Sequence, residues 1–134
     1  MSDIEEIRQL KARYCRLLDT KSWDEFRALF TDDAVLDSTD SGGEVITGAD
    51  AFLEFLRPAL SESVTVHHCH TPEIAVTAPS TATGIWAMED RIRFPDGSEL
   101  IGFGHYHETY EKADGAWRIR SQKLTRLRMD FTKP

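Results

Sequence analysis

Between Thr81 and Phe94 the chain alternates with a period of two. Even positions carry Ala82, Gly84, Trp86, Met88, Asp90, Ile92 and Phe94; odd positions carry Thr83, Glu89, Arg91 and Arg93. Strand side chains alternate between faces, so the even set predicts an inward face with Asp90 among apolar neighbours. An ionised carboxylate is costly there unless it is paired or hydrogen-bonded. Chemistry is one reason to keep such an acid; a one-residue bulge would turn it outward instead.

The N-terminal part follows a helical period. Ile4, Ile7, Leu10, Tyr14, Leu17 and Leu18 form one stripe, interrupted only by Lys11. Ser22-Trp23-Asp24-Glu25 matches a capping box and predicts a second helix through Trp23, Phe26, Leu29 and Phe30. A strand-like Ala34–Asp37 leads through Ser41-Gly42-Gly43 into Glu44-Val45-Ile46. A third helix then carries Phe52, Leu53, Phe55, Leu56 and Leu60, with Pro58 expected to bend it or end it early. From Val64 onward the pattern is sheet, with turns at Pro95-Asp96-Gly97 and Ala113-Asp114-Gly115; Asp-Gly between two strand patterns signals a hairpin. Helices followed by a meander predict a single α+β domain over residues 1–134, its curved mixed or antiparallel sheet closed by the N-terminal helices into a cone. Such a cone can hold a small apolar ligand, and Asp90 would point into it.

Composition changes this picture little. A chain of 134 residues, 40% hydrophobic and 29% charged, is an ordinary globular domain. A net charge of −7 argues against a nucleic-acid or anionic-membrane surface. No apolar run has the length of a membrane span and no leader pattern opens the chain, so the expected location is cytoplasmic. Cys15 and Cys69 lack C-x-x-C spacing and read as small buried thiols of a reducing compartment.

Four polar groups could share the cavity. Tyr14 lies in the inward stripe of the first helix, as a core aromatic or as a hydroxyl donor. Asp19 stands near that helix's end, where the macrodipole disfavours an acid; it would cap the turn or hold a histidine in one tautomer. In Val64-Thr65-Val66-His67-His68-Cys69-His70, alternation anchored on the two valines puts His68 and His70 inward and His67 outward. His105-Tyr106-His107 with Glu111 has the H-x-H-x3-E spacing of the cupin metal motif, but neither its second block nor its glycine framing is present, and no metal site is expected. Gly102 and Gly104 read as bend points of a curved strand.

These residues carry a family resemblance over nearly the whole chain. Ile7–Tyr14, Leu18-Asp19, Trp23-Asp24-Glu25, His70–Ile74, Thr81–Gly84, Glu89-Asp90, Tyr110-Glu111-Lys112 and Trp117 resemble the SnoaL-like branch of the nuclear-transport-factor-2-like superfamily, which includes scytalone dehydratase, ketosteroid isomerase and the bile-acid 7α-dehydratases. The resemblance implies a cystatin-like α+β cone with a lyase site needing no cofactor. Tyr14 would match the family's site tyrosine, His70 its base, Asp19 the acid paired with that base, and Asp90 the second pocket acid. Trp86, Met88, Phe103, His105 and His107 are expected to contact substrate. The histidines at 105 and 107 and the short C-terminus depart from the bile-acid enzymes, so bile acid is not the expected substrate. The expected partner is a small hydrophobic hydroxylated ketone, steroid-like, terpenoid or polyketide-derived, from which water is eliminated. Isomerisation by the same groups and ligand binding without catalysis are the alternatives. Homo-oligomers, trimer before dimer, are implied by the superfamily.

Overall fold

A computed structural model describes residues 1–134. Helix α1, Asp3–Asp19, starts where the Ser2 hydroxyl accepts from the Glu5 amide, and Asp3, Glu5 and Glu6 favour its N-terminal dipole. It buries Ile7, Leu10, Tyr14, Leu17 and Leu18, and Lys11 with them. It ends before Lys21, whose φ of 60° is left-handed. Helix α2 is short, Trp23–Arg27, and its Ser22 cap makes no side-chain bond to the helix. Phe30, expected at the end of that helix, begins strand β1, Phe30–Asp37, instead. Strand β2, Val45–Thr47, precedes α3, Ala49–Leu60, which accommodates Pro58 in its last turn.

Four long strands follow: β3 Val64–Ala78, β4 Thr81–Arg93, β5 Glu99–Ala113 and β6 Ala116–Thr132. The single sheet runs β2-β1-β6-β5-β4-β3, antiparallel except where β1 lies parallel to β6. The β5–β6 hairpin turns at Asp114 (φ 53°) and Gly115 (φ 76°), two left-handed residues whose twist suits the hairpin. One concave face carries the core, and α1 crosses it against β3.

Two irregularities in β6 decide what faces the core. Tyr110 pairs with Ile119 but Thr109 pairs with Ser121, so Arg120 is an extra residue; Leu127 is likewise extra between Arg126 and Arg128. Inward positions are therefore Trp117 and Ile119, then Gln122, Leu124 and Arg126. Glycines serve this packing. A Cβ on Gly104 would overlap the Thr125 carbonyl, and one on Gly102 would occupy the space where Arg126 meets Asp90.

Candidate active site

The sheet's concavity and α3 enclose a cavity of about 370 Å³. Its walls are mostly apolar, including Leu18, Phe52, Leu56, Ile92, Leu100 and Leu124, and the polar groups reaching it include Tyr14, His67, Asp90, Tyr106, Gln122 and Arg126. This is the usual make-up of a small-molecule site, an apolar body with few convergent polar groups.

The histidine at this site is His67, not His70. His67 is buried, whereas His70 is exposed and its nearest polar partner is Thr71 Oγ1 at 3.4 Å. The expected alternation was inverted because Val64 and Val66 lie on the outer face of an edge strand, both exposed. The inner face carries Thr65, His67 and Cys69, which pack toward α1. Register gives the same result: His67 stands directly opposite Asp90, and opposed residues share a face.

Asp19 reaches β3 from the end of α1. Its Oδ1 accepts from His67 Nδ1 at 2.7 Å and from Thr65 Oγ1 at 2.9 Å, and its Oδ2 accepts from the His67 backbone N–H at 2.8 Å. Lys21 Nζ donates to Thr65 Oγ1 at 3.0 Å, completing the chain of donors. A carboxylate at Nδ1 holds the proton on that nitrogen, which leaves the Nε2 lone pair free to act as a base. The same charge stabilises the imidazolium once the base is protonated. The pairing expected of Asp19 is present, with a different histidine.

Asp90 points inward as its strand pattern requires, and it is 3% exposed. It is not an isolated acid in apolar surroundings. Arg126 grips it through Nη1 to Oδ1 at 2.7 Å and Nη2 to Oδ2 at 3.0 Å. Arg126 Nε donates to Ser41 Oγ at 2.9 Å, and Nη1 also approaches the Met88 sulfur at 3.9 Å. A guanidinium has five N–H donors. One hydrogen on Nη2 is thus left without a protein acceptor. Paired in this way, the second pocket acid orients a cation at the cavity.

Tyr14 is buried, and its hydroxyl donates to Gln122 Oε1 at 3.2 Å. Burial pushes its pKa up to about 12, keeping the phenol protonated as a hydrogen-bond donor. Tyr106, at 5.6 Å between ring centroids, lies beside it and is raised by burial as well.

Behind these groups sits a polar network closed on itself. Lys11 Nζ pairs with Glu108 Oε2 at 2.8 Å and lies 3.6 and 3.7 Å from the ring centres of Tyr14 and Tyr106. Gln122 Nε2 and Tyr110 Oη also donate to Glu108, both at 2.7 Å, and Trp86 Nε1 donates to Tyr110 Oη at 2.9 Å. Each charge is paired and each carboxylate oxygen engaged, the condition under which burial of an ion pair is tolerated.

None of the residues expected to contact substrate lines this cavity. Trp86 and Met88 point inward but are core, bonded to Tyr110 and set behind Arg126 respectively. Phe103, His105 and His107 lie on the opposite face of β5, because its inward parity is that of Gly102, Gly104, Tyr106 and Glu108. His107 Nε2 meets Thr125 Oγ1 at 3.0 Å and Glu111 pairs with Arg120. No three His, Cys, Asp or Glu side chains are grouped to hold a metal ion. Sequence reasoning missed His67, Tyr106, Gln122 and Arg126. Tyr106 could have been found from Glu108 and Tyr110 on the same parity; Arg126 could not, because the Arg120 bulge reverses the alternation read from Trp117 and Ile119.

A cone-shaped α+β domain with a histidine–aspartate pair in its cavity is the class that the fold and site define. The chain belongs to the SnoaL-like domain family, whose model matches residues 1–123. It is 29% identical over 133 residues to a Gibberella zeae protein named "Probable cyclase FGR4", covering 90% of this chain and 89% of that one. A crystal structure described as "Putative Scytalone Dehydratase" from Novosphingobium aromaticivorans DSM 12444 matches 96% of this chain and 86% of its own, with TM-score 0.87 at 22% identity. Hexachlorocyclohexane dehydrochlorinase LinA-type3 from Novosphingobium barchaimii LL02 matches 96% of this chain and 88% of its own, with TM-score 0.82 at 14% identity. No helix is long and apolar enough to cross a membrane.

Proposed function

We propose that the cavity catalyses a lyase reaction, the elimination of water from a small hydrophobic β-hydroxy ketone of polyketide-like or polycyclic character. One observation carries the proposal: His67, held by Asp19 with Nε2 free, faces an apolar cavity that also presents the Arg126–Asp90 pair. In this reading Nε2 takes the proton from the carbon beside the carbonyl. The C–H electrons form the new double bond as the C–O bond breaks, and the departing hydroxide takes up a proton from the imidazolium to leave as water. Asp19 stabilises the imidazolium between these steps. The free N–H of Arg126 and the phenol of Tyr106 are the donors that reach the cavity for the developing enolate oxygen, while Tyr14, its proton given to Gln122, lines the wall beside them. Asp90 fixes the orientation of Arg126. An apolar wall strengthens each of these interactions by excluding water. The family and the names of the relatives, a cyclase, a dehydratase and a dehydrochlorinase, support chemistry of this general type.

The test is incubation with a panel of hydroxylated polycyclic and polyketide-type ketones, with mass spectrometry for loss of one water and deuterium exchange at the α-carbon. Wild type is expected to dehydrate at least one compound, and His67→Ala to bind it without turnover. Exchange without water loss would identify an isomerase. Compounds that bind wild type and His67→Ala equally and emerge unchanged, without exchange, would replace catalysis by ligand binding.

A further inference from the structure

The two cysteines, 54 positions apart in sequence, meet in the fold. Cys15 on α1 and Cys69 on the inner face of β3 place their sulfurs 3.6 Å apart, both as free thiols. Neither has a part in the elimination chemistry above. Both are half-buried, packed against the edge of the core. They line a groove of about 600 Å³ between α1 and the sheet edge, with Arg8, Lys11, His68 and His70 along it. Only His67 is common to the linings of this groove and the substrate cavity.

We propose that Cys15 and Cys69 form a reversible modification site, at which a small hydroperoxide oxidant entering the groove converts the two thiols into an intramolecular disulfide. The Cys15 thiolate attacks one peroxide oxygen, an S–O bond forms, the O–O bond breaks, and the second oxygen leaves as water or an alcohol. Cys69 sulfur then attacks Cys15 sulfur, the S–S bond forms, and the sulfenic oxygen departs as water. Two electrons pass from the sulfurs to the peroxide, and both thiol protons end on the released oxygens.

The surroundings assign the two roles. The hydrogen bond shared with Cys69 and the nearby Lys11 charge hold the Cys15 thiol below its usual range, against burial and the charges of Asp19 and Glu108. Its hydrogen bond with Cys15, followed by burial, raises Cys69. Thiolate is the nucleophile toward peroxide, so Cys15 attacks and Cys69 resolves. With the resolving sulfur already 3.6 Å away, disulfide closure outruns further oxidation at Cys15. Cys15 lies one helical turn before Asp19, and Cys69 two residues after His67 on the same face. A covalent bond at about 2.05 Å therefore draws together the two segments that carry the dyad. This last consequence rests on the proposed function; the modification itself does not.

The test is titration of the reduced full chain with hydrogen peroxide, read by intact mass under non-reducing conditions and by thiol counting. A monomer lighter by two hydrogens, with both thiols lost and dithiothreitol restoring both, is expected. Cys69→Ser should instead gain one oxygen at Cys15, trapped by dimedone, and Cys15→Ser should react far more slowly. Cys→Ala versions, checked for folding by circular dichroism, separate loss of chemistry from loss of fold. Retention of both thiols at peroxide levels that oxidise free cysteine would overturn the proposal. So would sulfinic or sulfonic acid as the main wild-type product, or disulfides that join two chains.

Discussion

Asp19 engages three donors, two from His67 and one from Thr65, so the position of one carboxylate fixes both the tautomer of the ring and the strand that carries it. Asp19→Asn keeps the size but can offer an amide N–H to Nδ1, favouring the tautomer with Nε2 protonated. We expect kcat on the substrate identified by the panel to fall by roughly 10²–10⁴ with little change in fold. His70→Ala is expected to leave kcat unchanged, since that ring is exposed on the outer face; a loss matching that of His67→Ala would return the base to His70. Arg126 and Asp90 form a buried pair with side chains 8% and 4% exposed. Arg126→Met should cost about 3–5 kcal/mol in urea denaturation by leaving Asp90 unpaired, and the Arg126→Met/Asp90→Leu double variant should recover much of that stability. Catalysis should be lost in both, which separates the pair's chemical role from its structural one.

At the scale of elements, β4 was legible in the sequence and β3 and β6 were not. Strand β4 lies between two neighbours, with one face in the core, so its alternation of apolar and charged residues follows its burial directly. Strand β3 lies at the sheet edge and shows its valines to the outside, while its inner face is threonine, histidine and cysteine. Hydropathy alone therefore inverts it. Strand β6 changes parity at Arg120, and a bulge has no necessary mark in composition. The glycines of β5 have a cause beyond curvature. Gly104→Ala would push a methyl group into the Thr125 carbonyl beside the second β6 irregularity. A stability loss of about 1–3 kcal/mol by thermal or chemical denaturation is expected, from backbone displacement rather than from lost contact area.

Across the whole molecule, the phenols and Lys11 join helix and sheet through one closed network, and its pH dependence follows from their direction of shift. Burial pushes Tyr14 up to about 12 and also raises Tyr106 and Tyr110. An exposed phenol titrates near about 10. The folded state therefore holds these protons more tightly than the unfolded chain. Their contribution is complete below about pH 10 and is lost as pH rises above it, for Tyr14 toward about 12, because unfolding then releases protons. Lys11 acts with the same sign: burial opposes its charge most strongly, but Glu108 together with Tyr14, Cys69 and Cys15 raises it overall. Urea midpoints measured from neutral to strongly alkaline pH should fall steeply above about pH 10, and Tyr14→Phe should flatten part of that fall.

The sequence by itself determined the class of fold, the helix-then-meander order, the inward face of β4 with Asp90 on it, and the placement of Tyr14 in the helical stripe. These follow from local periodicity, which each segment carries within itself. Lys11 was also visible, as a charge within that stripe; Glu108 was not, because the opposite parity of β5 was expected to face the cavity. Only the tertiary structure decided which histidine Asp19 meets, that Arg126 neutralises Asp90, and that Cys15 and Cys69 touch. Each of those depends on register between distant segments. A shift of one residue turns a side chain to the other face, and register is set by pairing and bulges that no single strand encodes.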